Sequence, residues 1–511
     1  MKKSLLLSLF FLPFILVNAQ KAYVNQNASG NGDGSSWANA YTTLEAGLKD
    51  ANAMELWIAA GTYLPTNSDS GYFHLNRNMH LYGGFAGTES TLEERDIEVN
   101  KTILSGDLNG DDLIDDLSAN REDNSMHVLF VRDADKTMPI IIDGFEIRGG
   151  HTSNDPNVDR ILRSGGGILS DNPLAVRNCN FINNFGRSGA ALLILDTILT
   201  APSEISNCTF EKNLGSTQGV AFVVLDSILV KNSKFINNES SRGAFYPLFT
   251  RSVNIDGSEF TGNRNIDNVD LNPPGLNQNG FGGGIFAIGV QFFNIQNTKF
   301  DNNFATYQGG GIYNDQDDFL PLGNSSFKLT NCEFTNNASS DTAGVGGAVR
   351  LWQNINVEVR NTSFIDNSSR GSGIFNCSQG QSAEIEVKGI TLFDNCIFEG
   401  NALVDTAGFG GAINLWQNKE VQIYNTKFIQ NRSFSAGAIY ADARNISADE
   451  TAKNTMLIQD CSFEENTSQG FAGAITFWQG TGIRLVRDTF INNQGSSAGA
   501  VNYNGSATFP R

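Results

Sequence analysis

Apolar and polar residues alternate in short runs along most of the chain, as in Val357-Glu-Val-Arg and Val421-Gln-Ile-Tyr. A period of two puts the apolar side chains on one face of a strand, and within these units no 3.6-residue apolar face competes with it. The runs belong to a repeat. A seven-residue phrase recurs as NCNFINN at Asn178, NCTFEKN at Asn207, NSKFINN at Asn232, NTKFDNN at Asn297, NCEFTNN at Asn331, NTSFIDN at Asn361, NCIFEGN at Asn395 and NTKFIQN at Asn425. Looser copies start at Gly257, Asp460 and Arg487, and the phenylalanines of successive copies are mostly 25 to 35 residues apart. After each phrase comes a Gly/Ala-rich strand start such as Gly309-Gly-Gly-Ile, Gly410-Gly-Ala-Ile or Gly473-Ala-Ile.

Helical repeats share this length, but units rich in Gly, Asn, Ser, Thr and Phe do not build them. Three short strands and three turns per unit would close one coil of a solenoid, hydrogen-bonded to the next at about 4.8 Å. The expected fold is therefore all-β, a right-handed parallel β-helix with a short N-terminal capping helix. In it, Phe and the Ile of the strand start stack inward as ladders. The Asn that ends FxxN is expected at a turn, bonding backbone and adopting the left-handed conformation, which makes it structural. A longer period lies over the short one, because GAVRLWQN (Trp352), GAINLWQN (Trp416) and GAITFWQG (Trp478) recur 64 and 62 residues apart. Long insertions at 315–325, 377–388 and 441–454 occupy the coils between, and a duplicated two-coil unit accounts for both features.

Ahead of the repeats, residues 33–51 read as a loop and an amphipathic helix using Leu44 and Leu48, followed by a strand in Glu55–Pro65. Residues 81–89, 102–107 and 140–150 read as the first coils. Lys2 and Lys3, an apolar run from Leu5 to Val17 and Val17-Asn18-Ala19 form a signal-peptide pattern. The expected organisation is residues 1–19 as signal peptide, 20–100 as cap and first coils, and 101–511 as β-helix with an open or truncated C-terminal end. The tail from Asn502 to Arg511 supplies no amphipathic helix, so self-association through that end is a further expectation.

The paired GGA(I/V) and FxxN tetrapeptides resemble the repeats of the chlamydial polymorphic outer membrane proteins. The series DGSSWANAY, AAGTY, LYGGFAGTE, ILSGD and IDGF is similar to right-handed β-helix surface proteins of Bacteroidetes. The first resemblance implies adhesion and an outer-membrane or secreted location, the second type IX secretion. The chain departs from both in carrying neither an autotransporter barrel nor a C-terminal sorting domain. The architecture also resembles that of pectate lyases and polygalacturonases, which implies the pectin-lyase fold and an enzymatic alternative.

Charge and chemistry narrow the functional classes. With 54 acidic against 35 basic residues the chain carries a net charge of −19, a field that repels phosphate backbones and excludes nucleic acid as a partner. Five of the six cysteines (179, 208, 332, 396 and 461) fill the second position of the phrase, where Ser or Thr stands elsewhere; mostly free, buried thiols are expected. The cluster from Asp107 to Asp116 is the metal candidate. Asp107, Asn109, Asp111 and Asp115 match positions 1, 3, 5 and 9 of a calcium loop, although Asp112 and Ser118 stand where Gly and a bidentate carboxylate belong. If Ile413 and Leu415 point inward, Trp416 turns outward, and so do Trp352 and Trp478. With Gln353, Gln417 and Gln479 beside them, these rings are the candidate ligand-binding residues, suited to stacking on sugars. The competing expectation is that the insertions fold over the rings, since large exposed apolar patches are uncommon. Arg350, Arg484 and Arg487 read as ordinary solvated arginines. No local catalytic constellation emerges. The reading is a secreted or cell-surface scaffold, an adhesin of the cell outer membrane, that binds extracellular glycans or surface proteins. The alternative is a polysaccharide lyase or glycoside hydrolase with a site assembled across coils.

Overall fold

The computed structural model describes residues 20–504 apart from 67–70, 114–115, 117–118, 154–156, 197–200, 266–279, 317–324, 341–343, 379–388, 405–407, 443–454 and 479–481. The signal-peptide reading of residues 1–19 and most of the three insertions fall outside the described residues. The chain winds as a right-handed parallel β-helix. Among the described residues, three long sheets hold 15, 14 and 14 strands and a fourth holds 10, with every strand pair parallel. We call the long ones sheet 1 (Lys21–Val24 to Ile483–Val486), sheet 2 (Gly61–Tyr63 to Thr489–Ile491) and sheet 3 (Phe73–Leu75 to Val501–Asn504). One coil runs Ile312–Asp315 in sheet 3, Ser326–Thr330 in sheet 1, Glu333–Thr335 in sheet 2 and Ala338–Ser339 in the fourth sheet. A coil thus has four strands where the sequence suggested three. The fourth is two residues long, too short for an alternating pattern to reveal it.

At the N-terminal end a five-residue helix, Leu44–Leu48, starts where Thr43 accepts a hydrogen bond from the amide of Ala46. It buries Leu44 and Leu48, and Gly47 comes so close to Val24 that a Cβ there would sit 2.8 Å from the valine methyl. No helix among the described residues is long and apolar enough to cross a membrane.

The interior is built of ladders. From Phe181 to Phe490 the phenylalanines of sheet 2 stack face to face, with centroids 4.6–5.2 Å apart. The Asn that ends FxxN forms a second, buried ladder. Asn367 Nδ2 donates to the Phe334 carbonyl (2.9 Å) and to Asn401 Oδ1 (3.1 Å), while its own Oδ1 accepts from the Nδ2 and amide of Asn337. Every polar atom of the side chain is used, which is the condition for burying an amide. The left-handed backbone falls one residue earlier than the sequence suggested, at Asn183, Asn336, Asp366 or Glu465. It recurs at the first residue of the phrase, as at Asn331, Asn361 and Gly257. The ladder Asn must keep extended geometry to reach the next coil, so the residue before it takes the turn.

The glycine pair of the strand start serves two needs. Gly309 has φ +69°, and a Cβ on Gly310 would lie 2.2 Å from the Gly347 carbonyl oxygen of the next coil.

All six cysteines are free and buried. Cys332 Sγ lies 3.4 Å from the Thr330 carbonyl, as the Thr362 hydroxyl lies 2.8 Å from that of Arg360, so thiol and hydroxyl are interchangeable rungs. Burial pushes the thiols of Cys332 and Cys396 up to about 11 and those of Cys377 and Cys461 to about 12. Burial also keeps two histidines neutral. His127 is fully buried, its Nδ1 facing the Gly165 carbonyl at 3.0 Å and its Nε2 without a partner among the described residues. His151 stacks on Phe185 at 4.4 Å. Burial holds both near 4, against an ordinary 6.5.

Four outcomes follow from these interiors. Asn367→Ala orphans the amide groups of Asn337 and should destabilise by about 3 kcal/mol in urea denaturation. Asn361→Gly should cost no more than about 0.5 kcal/mol, because Gly257 already serves at that turn position. Ellman's reagent should find almost no reactive thiol in the native protein and six after denaturation without reductant; a deficit would mean that a disulfide forms. As pH falls, the unfolded chain takes up protons at about 6.5 and the folded His127 and His151 only near 4. Stability is therefore full above 6.5 and declines between 6.5 and 4, on the order of 3 kcal/mol for His127. His127→Gln should flatten that part of the stability profile.

Candidate functional site

On the outer face of sheet 3, two rows of side chains run along the solenoid. One reads Tyr313, Arg350, Asn376, Asn414, Tyr440, Thr476 from coil to coil; its neighbour reads Asp315, Trp352, Ser378, Trp416, Asp442, Trp478. Strand alternation sets the facing. Ile413 and Leu415 are buried in the core, which turns Asn414 and Trp416 outward. In earlier coils the same outer face is apolar and covered, with Phe130, Leu169, Leu193, Phe222, Tyr246 and Phe286 forming a second buried cluster. It becomes polar beyond Tyr313.

Because the tryptophans come every second coil, Trp352 and Trp416 stand two strand spacings apart, about 9 to 10 Å, with the small Ser378 between them. Both rings are exposed, 39% and 37%. The result is a cleft of about 480 Å³ walled by Trp352, Trp416, Phe409 and Tyr440. Arg350, Asn376, Asn414 and Ser378 line it as well, and all four are buried. The Ser372 hydroxyl oxygen accepts from Nδ2 of Asn376 (3.1 Å) and of Asn414, which fixes both amides. Asn376 Oδ1 is then taken by Arg350, whereas Asn414 Oδ1 and Ser378 Oγ have no partner among the described residues. Two unsatisfied buried polar atoms beside exposed indoles leave this cleft short of hydrogen-bonding groups that a polar ligand carries.

Of the residues read from sequence as ligand-binding, Trp352 and Trp416 share this cleft. Trp478 is half-buried two coils on, edge to face with Phe471 at 5.9 Å, and does not line it. Gln353 and Gln417 occupy left-handed turns just after the strands (φ +57°), and their amides bond the Ser378 and Asp442 carbonyls. They do not line the cleft, and Gln479 lies outside the described residues. The expectation for Arg350 is corrected: it is 6% exposed, not solvated. Its strand position points outward, but Trp352 and the outer side chains of adjoining coils surround it, and periodicity along one strand cannot register neighbours on other coils. Arg484 and Arg487 are exposed, the latter paired with Asp460 at 2.6 Å. Aligning the outward positions of successive strand starts would have drawn Asn376 and Asn414 into the site.

The acidic loop gathers differently from the linear reading. Asp107 and Asp111 converge with Asp123, their carboxylate oxygens within 4.8 Å of one another. Asn109 takes part through its backbone amide, which donates to Asp123 Oδ2 at 2.9 Å, and Asp115 lies outside the described residues. Asp107 Oδ1 accepts from the amides of Gly110 (2.7 Å) and Asp111 (3.2 Å). Three carboxylates suit a hard cation in kind, but supply about half of a calcium shell.

No family model matches the chain, and no curated protein does. Among solved structures it aligns with PfbA, a surface adhesin of Streptococcus pneumoniae, at 13% identity over 89% of this chain and 86% of that one, with a TM-score of 0.35. A second structure of PfbA aligns at 12% identity, over 90% and 94% of the two chains, again with a TM-score of 0.35.

Proposed function

We propose that the chain is a β-helix scaffold displayed outside the cell, like the repeat proteins its sequence resembles, and that it binds glycans in the cleft between Trp352 and Trp416. The observation that carries this reading is the coincidence, in one cleft, of two exposed indoles with the unpartnered Asn414 Oδ1 and Ser378 Oγ. A sugar ring has an apolar face to lay on an indole and hydroxyls around its edge to donate to such acceptors. The spacing supports an extended ligand, because Trp416, Asp442 and Trp478 repeat the large–small–large pattern one step further along the row.

Affinity electrophoresis and calorimetry against a panel of neutral and acidic polysaccharides test the reading. Trp352→Ala and Trp416→Ala should each weaken binding about tenfold or more, as truncation of a central aromatic contact does. Their urea midpoints should stay near that of the unaltered chain, since both rings are already exposed. Retention of full affinity by the double variant would refute the site.

A further inference from the structure

We infer that the cleft selects a carboxylate-bearing glycan and that Arg350 is the residue that reads the charge; this rests on the glycan-binding reading above. Arg350 is buried, yet it lines the cleft. Its Nε donates to Gln308 Oε1 at 3.2 Å and its Nη1 to Asn376 Oδ1, both neutral amide oxygens. The guanidinium carbon lies 4.7 Å from the centre of the Trp352 ring. Nη2 has no acceptor, and no carboxylate forms an ion pair with the group, among the described residues. Asp315 attracts it from a distance, but Asp315 Oδ2 accepts from the Tyr313 hydroxyl at 3.2 Å.

A guanidinium stays protonated, and one taken out of water without a counter-charge is costly. Here it is held in place by two amides and an aromatic face, with donor capacity left over toward the cleft. The group that completes such an arrangement is a planar carboxylate, which a guanidinium binds with charge-assisted hydrogen bonds. A uronic-type sugar offers both halves of the match, a ring for the indole walls and a carboxylate for Arg350. The whole chain, at −19, repels polyanions at long range, so the charge is read at contact distance only.

The test compares alginate and polygalacturonate with their carboxyl-reduced counterparts at about 0.15 M salt, where long-range repulsion is screened beyond about 8 Å. The acidic forms should bind the full chain about tenfold tighter than the reduced forms. Arg350→Gln should remove that preference, so that acidic and reduced polymers bind the variant equally. Since Arg350 is buried, Asn376→Asp serves as a second variant: it sets a carboxylate against the guanidinium without removing it, and should abolish the preference too. Equal binding of acidic and reduced polymers by the unaltered chain would overturn the inference and leave the glycan reading standing. Persistence of the preference in both variants would also overturn it. Binding of poly-glutamate but of no polysaccharide, or of none of these, would overturn both.

Discussion

The whole molecule depends on parallel, in-register stacking at the strand spacing. Each residue sits directly above its counterpart in the coil below, so any side chain placed inward must be able to neighbour a copy of itself. Phenylalanine meets that condition by stacking face to face. Asparagine meets it because one amide carries both a donor and an acceptor, and the extra donor hydrogen reaches a carbonyl one coil back. Backbone approach between coils leaves no room for a side chain at the second glycine of the strand start. These requirements account for the monotony of the repeat. A charged residue cannot form such a ladder, because like charges about 5 Å apart repel.

The outer face is not bound in this way, and there the repeat changes period. On sheet 3 a bulky ring every coil would leave no gap, whereas alternating Trp with Ser or Asp opens a slot two coils wide. The same alternation assigns the long connections. The insertions leave after Asp315, Ser378 and Asp442, the small or acidic members of the row, and the tryptophan coils turn directly into sheet 1. A two-coil period on the surface thus lies over a one-coil period in the core.

Charge is distributed according to the same division. On the outer face of sheet 1, Lys328, Glu358, Arg360 and Asp394 form a chain of ion pairs across three coils, at 2.6–3.2 Å. Exposed pairs of this kind contribute little to stability but leave no charge unmatched. Arg350, on sheet 3, is the contrast. It lies buried against neutral amides and an indole, and its place at the change from the apolar to the polar part of the outer row marks where the cleft begins.

The coil, the phenylalanine ladder and the outward facing of Trp352 and Trp416 were legible in the amino-acid sequence, because each follows from a period of two along a strand and a fixed repeat between strands. The buried asparagine was placed correctly in the phrase but given the wrong backbone conformation. Sequence shows that a turn is needed, not which of two adjacent asparagines, such as Asn336 and Asn337, makes it. The fourth strand, the company that Asp107 and Asp111 keep with Asp123, and the burial of Arg350 were decided by tertiary structure alone. The physical reason is common to all three. Burial and hydrogen-bond satisfaction are set by atoms on neighbouring coils and loops, some 16 to 42 residues away along the chain, and no local pattern of polar and apolar residues carries that information.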